Sequence, residues 1–173
     1  MRPFQWNVLA VMTAIALLSA SPLAAEDASD LKQLQATGEC NGCNLEGVDL
    51  HGIDLIGAKL RWARLKGADL QGANLQRADL TGADLRQAHL TNTQLEGAIL
   101  QGSRLSGVDL SETRLMGADL RWADMTHLDV DLALESIDLI GVLLEGARFS
   151  HGVRCGAFPA KGGFGCAAHQ STN

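Results

Sequence analysis

Leucine recurs every five residues in this chain, beginning at Leu45 and running without a miss to Leu120, sixteen in succession. Met125 and Val130 continue the series; after a four-residue step, Leu134, Leu139, Leu144 and Phe149 complete 22 units. Two residues before each of these positions stands a small or apolar residue. It is Ala at 58, 63, 68, 73, 78, 83, 88, 98, 118, 123 and 147, and Cys43, Val48, Ile53, Thr93, Ser103, Val108, Thr113, Leu128, Leu132, Ile137 and Val142 elsewhere. A period of five matches neither the 3.6 of a helix nor the 2 of a strand. It does match a short extended edge followed by a corner. In Ala-x-Leu the two apolar side chains, two apart, point the same way, and the next pair turns the chain. That pair ends in Gly in 12 of the 22 units, and Gly tolerates φ > 0.

Four such edges close a square, and the chain then climbs to the next level. Hydrogen bonding between levels sets the rise at ~4.8 Å, the ordinary strand spacing. Leu fills the axis, Ala keeps the wall close, and no unit buries its own Leu, so stability comes from stacking neighbours as in other solenoids. The 22 units predict about five and a half levels, roughly 26 Å of rod. The four-residue step between Val130 and Leu134 is expected to bend or tighten its level, and the larger inward residues after Leu128 to widen the last ones. Composition agrees with an aliphatic rod: aromatics are 4% of the chain and Gly numbers 19, whereas a conventional core leans on aromatic mass.

The units Ala68-Asp69-Leu70, Ala73-Asn74-Leu75, Ala78-Asp79-Leu80 and Ala83-Asp84-Leu85 resemble the pentapeptide repeat family. The resemblance covers about residues 43–149 and implies an all-β solenoid, the right-handed quadrilateral parallel β-helix. The family motif is structural and implies no catalytic residue.

Before the array, residues 1–7 carry one basic side chain, Arg2. Residues 8–20 are uncharged and mostly apolar, and Ser21-Pro22-Leu23-Ala24-Ala25 precedes Glu26. This order of regions predicts a secretory signal peptide over 1–25, cleaved after Ala25 or, alternatively, Ala24. The apolar run is shorter than the ~20 residues of a comfortable membrane span. Losing Arg2 with the leader leaves 13 basic against 20 acidic side chains, a charge of −7. Such acidity argues against a basic nucleic-acid-binding domain. The mature chain divides into an N-terminal cap over 26–42, the repeat over 43–150 and a C-terminal cap and tail over 151–173. Leu31 and Leu34, at helical spacing, predict a short helix over 29–37 covering the first level. Export to the periplasm or beyond makes disulfides the expected state of Cys40, Cys43, Cys155 and Cys166. The economical pairing is Cys40–Cys43 and Cys155–Cys166, although four cysteines allow three. The second bridge would hold Phe158 or Phe164 over the last level. Redox catalysis at Cys-x-x-Cys lacks a βαβ context. No histidine stands at zinc-ligand spacing from a cysteine, so neither metal nor cofactor is expected.

The residue before each Leu points outward, and every fourth unit falls on one face. Asn44, Arg64, Asp84, Arg104 and Asp124 predict a ladder of alternating charge, while Asp49, Asp69, His89, Asp109, Asp129 and Arg148 make an acidic face. Arg61-Trp62 and Arg121-Trp122 recur three full levels apart, which predicts two Trp on one edge of the square. They are read either as partner anchors or as rings packed over a corner. Together these point to an exported, non-enzymatic scaffold or protein-interaction surface. Two alternatives remain at this stage. The acidic face suggests a DNA mimic acting on a type II topoisomerase, as some pentapeptide repeat proteins are. An extracellular carbohydrate-binding or carbohydrate-active β-helix is the other, although the carboxylates recur with the repeat rather than converge.

Overall fold

The computed structural model describes residues 22–128, 140–150, 153–155 and 166–168. Its body is a four-sided stack in which the chain pairs with itself, in parallel, one level later. Glu39 pairs with Lys59, Asn44 with Arg64, Asp49 with Asp69 and Asp54 with Asn74, each partner one full square further along the chain, and the pattern repeats upward. Two hydrogen bonds make each rung. On the first face, Leu65 N donates to the Asp84 carbonyl at 2.8 Å and Asp84 N donates to the Ala63 carbonyl at 2.9 Å.

Corners are closed by turns of one kind. In Leu55–Ala58 the Ala58 N–H donates to the Leu55 carbonyl at 3.0 Å, and Gly57 has φ 66°. A positive φ at the third turn position is the type II geometry, which explains the frequent Gly. Among the described residues, seven corners do without it: Trp62, Arg77, Gln87, Asn92, Glu112, Trp122 and His127 all stand at φ between 58° and 62°. Each of these carries the left-handed penalty that Gly avoids.

The sixteen leucines from 45 to 120 are all buried, none more than 4% exposed, and with the inward alanines they form one continuous cluster. Three polar residues replace alanine inside the wall. Thr93 Oγ1 donates to the Leu70 carbonyl at 2.8 Å and Thr113 Oγ1 to the Leu90 carbonyl at 3.0 Å. Ser103 Oγ is buried without a hydrogen-bond partner among the described residues.

Helix α1, Pro22–Thr37, starts ahead of the sequence expectation and ends where predicted. Gly38, at φ 67°, donates its N–H to the Leu34 carbonyl at 2.8 Å and stops the helix. Leu34 is buried in the same cluster as the repeat leucines, and Leu31 packs against it. Asp30 Oδ2 accepts the Asn44 N–H at 2.8 Å, and Cys40 and Cys43 form a disulfide at the chain's entry to the stack. No helix among the described residues is long and apolar enough to cross a membrane.

One expectation is overturned at the far end. β1, Asp124–Met125, pairs in parallel with β2, Arg148–Phe149, and Asp119 pairs with Leu143. Both spacings exceed that of the regular rungs by the length of the short step. That step therefore does not tighten a four-edged level; it is an addition, and the circuit that contains it is lengthened. The added residues lie between Thr126, still in register with Gly107, and Ile140, which accepts the Gly117 N–H. Arg148 consequently belongs to the first face, opposite Asp124, and not to the acidic face. β2 then pairs antiparallel with β3, Val153–Cys155, which pairs antiparallel with β4, Cys166–Ala168, placing Cys155 directly opposite Cys166. Residues 1–21 of the expected signal peptide and residues Asp129, Phe158 and Phe164 lie outside the described residues.

Two substitutions test this account by urea denaturation. Ser103→Ala removes an unpartnered buried hydroxyl and is expected to stabilise by about 1 kcal/mol. Glu112→Gly relieves about 1–2 kcal/mol of left-handed strain against about 0.5–1 kcal/mol of added chain entropy, so a gain of about 0.5–1 kcal/mol is expected.

Candidate functional site

The four faces differ in what the repeat leaves over once its structural duties are met. Most outward Asp and Asn side chains are already engaged by their own backbone. Asp49, Asp69, Asp109, Asp119 and Asp124 each accept, through Oδ1, the N–H two residues on, at 3.0, 3.0, 2.8, 3.2 and 3.2 Å. These bonds satisfy corner N–H groups, as Asx-turns do. The second face runs Asp49, Asp69, His89, Asp109 as the sequence predicts. Its three carboxylates thus serve the corners before they can serve a partner. Bonds from the Ser111 hydroxyl and backbone N–H hold the Asp109 carboxyl below its ordinary range.

The alternating first face is in register but only partly paired. Arg104 lies 3.8 Å from Asp84, while Asp84 binds Arg86 of its own corner in a two-pronged contact at 2.6 and 2.8 Å. Arg64 turns away to Glu46 at 2.7 Å. Neighbouring corners therefore compete successfully with the rungs for these charges. Asp119 repeats the two-pronged contact with Arg121, at 2.6 and 2.9 Å, and also accepts from Gln101. The side-chain bonds from Arg86 and Arg121 hold the Asp84 and Asp119 carboxyls below their ordinary range, against the opposing effect of burial.

The paired Trp lie where the sequence places them. Trp62 and Trp122 both occupy the edge between the fourth face and the first, at φ 58° and 62°. Their N–H groups donate to Thr81 and Glu145 of the next level, each at 2.9 Å. Each ring lies over the glycine one level up. A Cβ on Gly82 would stand 2.3 Å from the Trp62 ring, and one on Gly146 would stand 2.2 Å from the Trp122 ring. Corner packing is therefore real, yet both Trp remain 65% exposed. Arg61 is 3.4 Å from Asp79.

Sequence reasoning missed the company these Trp keep. The fourth face is the ladder Glu39, Lys59, Asp79, Ile99, Asp119, Leu143. Among the described residues, the exposed large apolar side chains are Ile56, Trp62, Ile99, Met116, Trp122, Ile140 and Leu143, and all seven stand on this face or its two edges. The signal lay in the outward positions sorted by level, which the regular period allows for Ile56, Trp62, Ile99, Met116 and Trp122; placing Ile140 and Leu143 required the true length of the last circuit. Among the described residues no group of His, Cys, Asp and Glu is placed to hold a metal ion.

The family model for pentapeptide repeats matches in eight copies, over residues 39–72, 63–102 and 100–129. The chain belongs to the pentapeptide repeat family. Among solved structures, a pentapeptide repeat protein from Nostoc Pcc 7120 is 29% identical, with a TM-score of 0.52, covering 70% of this chain and 93% of the other. A second, Rfr23 from the cyanobacterium Cyanothece 51142, is 28% identical with a TM-score of 0.47, covering 70% and 94%. QnrB1, a plasmid-mediated fluoroquinolone resistance protein, is 24% identical with a TM-score of 0.45 over 60% of each chain. No curated protein sequence matches the chain. The family relationship implies the right-handed quadrilateral β-helix, in keeping with the four-sided parallel ladder.

Gly82→Ala tests the ring contact. It is expected to destabilise more than Gly72→Ala, which shares the positive φ but meets no neighbour, and Trp62→Gly should abolish the difference. Acid tests the carboxylates. Because Asp84 and Asp119 titrate lower folded than unfolded, their stabilisation is complete above about pH 4 and is lost as pH falls through the folded values. The urea midpoint should decline in that range, and less steeply in Asp84→Asn/Asp119→Asn.

Proposed function

We propose that this protein is exported and acts, without catalytic chemistry of its own, as a rigid scaffold that offers one side wall to protein partners. The observation that carries the reading is the gathering of all seven exposed large apolar side chains of the described residues on one face and its edges. Leu and Ala are consumed by the core and Asp by the corners, so the fourth face is what remains patterned for recognition. Exposed apolar side chains gathered on one wall, rather than scattered singly, point to an interaction site.

Export is supported by the leader-like order of residues 1–25 and by the Cys40–Cys43 disulfide, a bond at home in an oxidising compartment. On this reading α1 with its disulfide is the N-terminal cap. Cys155–Cys166 is the staple of the C-terminal one, and directly opposed strand positions suit the ~5.5 Å Cα separation of a disulfide. Nucleic-acid mimicry is the weaker reading, because Asp49, Asp69 and Asp109 direct an oxygen to their own backbone. Carbohydrate chemistry is the weaker reading too, because among the described residues the carboxylates recur with the repeat rather than converge.

Cell fractionation with N-terminal sequencing is the direct test. The protein is expected in the envelope or medium, beginning at Glu26 or Ala25, with all four cysteines blocked to alkylation until reduced. A cytosolic chain retaining Met1 with free thiols would overturn export. Affinity purification from the envelope fraction with mass spectrometry then reads the partner, and Ile99→Lys should weaken its capture.

A further inference from the structure

The apolar residues of the fourth face are ordered by level as well as by side. Counting levels along the ladder from Glu39, level 2 presents Ile56 on the entering edge, Lys59 on the face and Trp62 on the leaving edge. Level 5 presents Met116, Asp119 and Trp122 in the same three columns. The order of apolar, charged and aromatic is therefore the same, with the charge reversed.

This arrangement is self-complementary under one operation. A two-fold axis running across the face between levels 3 and 4, perpendicular to the rod, turns a second copy end for end and keeps each edge opposite the same edge. Ile56 then faces the partner's Met116, Lys59 the partner's Asp119 and Trp62 the partner's Trp122, and symmetry makes every contact twice. Between them Gln76 faces the partner's Glu96, and Thr81 faces the partner's Gln101, donor against acceptor. Asp79 faces the partner's Ile99 and Glu39 the partner's Leu143, the two least matched pairs; Asp79 carries Arg61 of its own chain beside it, and Lys59 carries Glu39. Arg61 faces the partner's Arg121, but each guanidinium already lies against a carboxylate of its own chain, Asp79 and Asp119. A parallel pairing of rods fails the same inspection, because it sets Lys59, Asp79 and Asp119 each against its own copy.

We propose that the fourth face seats a second copy of this chain in an antiparallel two-fold dimer. A foreign partner would need no agreement between level 2 and level 5; a second copy requires it. The proposal deepens the interaction reading above and rests on it, although capture of envelope proteins can succeed where dimerisation fails. Six levels, five rises from Glu39 to Leu143, make a wall about 24 Å tall, at the small end of specific interfaces, so association in the micromolar range is expected.

Sedimentation equilibrium of the purified protein from about 1 µM to about 1 mM tests this. A monomer–dimer equilibrium is expected. Trp62→Gly/Trp122→Gly keeps the backbone, since Gly suits both corners, and should weaken association by about tenfold or more with the circular dichroism unchanged. Lys59→Asp, which sets two carboxylates opposite one another, should weaken it too, while His89→Ala on the second face should not. A chain that stays monomeric throughout, whether or not it captures another protein, overturns the proposal. So does a dimer indifferent to both fourth-face variants or equally weakened by His89→Ala.

Discussion

The parallel backbone ladder between levels is the interaction from which everything else in this molecule follows. Within a level the chain makes little more than one turn hydrogen bond per corner, such as Ala58 N–H to the Leu55 carbonyl. All remaining main-chain pairing is with the levels above and below. Burial obeys the same rule. A single square of four leucines encloses no core, and Leu65 is shielded only because Leu45 and Leu85 lie under and over it. Hydrogen bonding and apolar burial thus share one axis, and each level depends on its neighbours. The ends are where that dependence is unmet. At the N-terminal end Leu34 of α1 enters the core, and the helix's Asp30 carboxylate binds the Asn44 N–H.

The outward residues answer to the corners before they answer to solvent. Asp or Asn ahead of Leu accepts the corner N–H two residues on, which explains its recurrence better than any ligand does. That local duty also explains why the alternating charges of the first face make so few direct rungs. Asp84 is held by Arg86 of its own corner, so Arg104 reaches it only at 3.8 Å. Exposed pairs of this kind contribute little individually, and their pattern is a by-product of corner chemistry. The Trp corners follow the same logic at larger scale. A side chain that accepts positive φ at Trp62 must lie along the wall, and Gly82 above supplies the space.

Once those duties are counted, the fourth face stands apart. Its edges hold Ile56, Met116 and Ile140 on one side and Trp62 and Trp122 on the other, where other corners carry polar residues or Gly. A square rod offers four nearly equivalent walls, so confining all such residues, among those described, to one of them gives a symmetric architecture a direction. Rigidity bears on the proposed role: side chains on a stacked ladder are pre-positioned, so a partner docking on that wall would cost little ordering entropy.

Much of this was legible from residue order alone. Which side chains go inward, where the corners fall and why Gly marks them depend on five consecutive residues, and short-range sterics decide them regardless of context. The common edge of Trp62 and Trp122 follows from the same period over three regular levels. What residue order left open was the alignment of distant levels. Lengthening the last circuit moves Arg148 beside Asp124 and brings Ile140 and Leu143 onto the wall of Met116 and Asp119. Alignment of that kind is a closure condition: it depends on how much chain the whole circuit needs before its carbonyls meet the N–H groups above, and no five-residue window contains that sum. The seating of each Trp ring over a glycine one level up belongs to the same class, since the partner is set by stacking and not by adjacency in the chain.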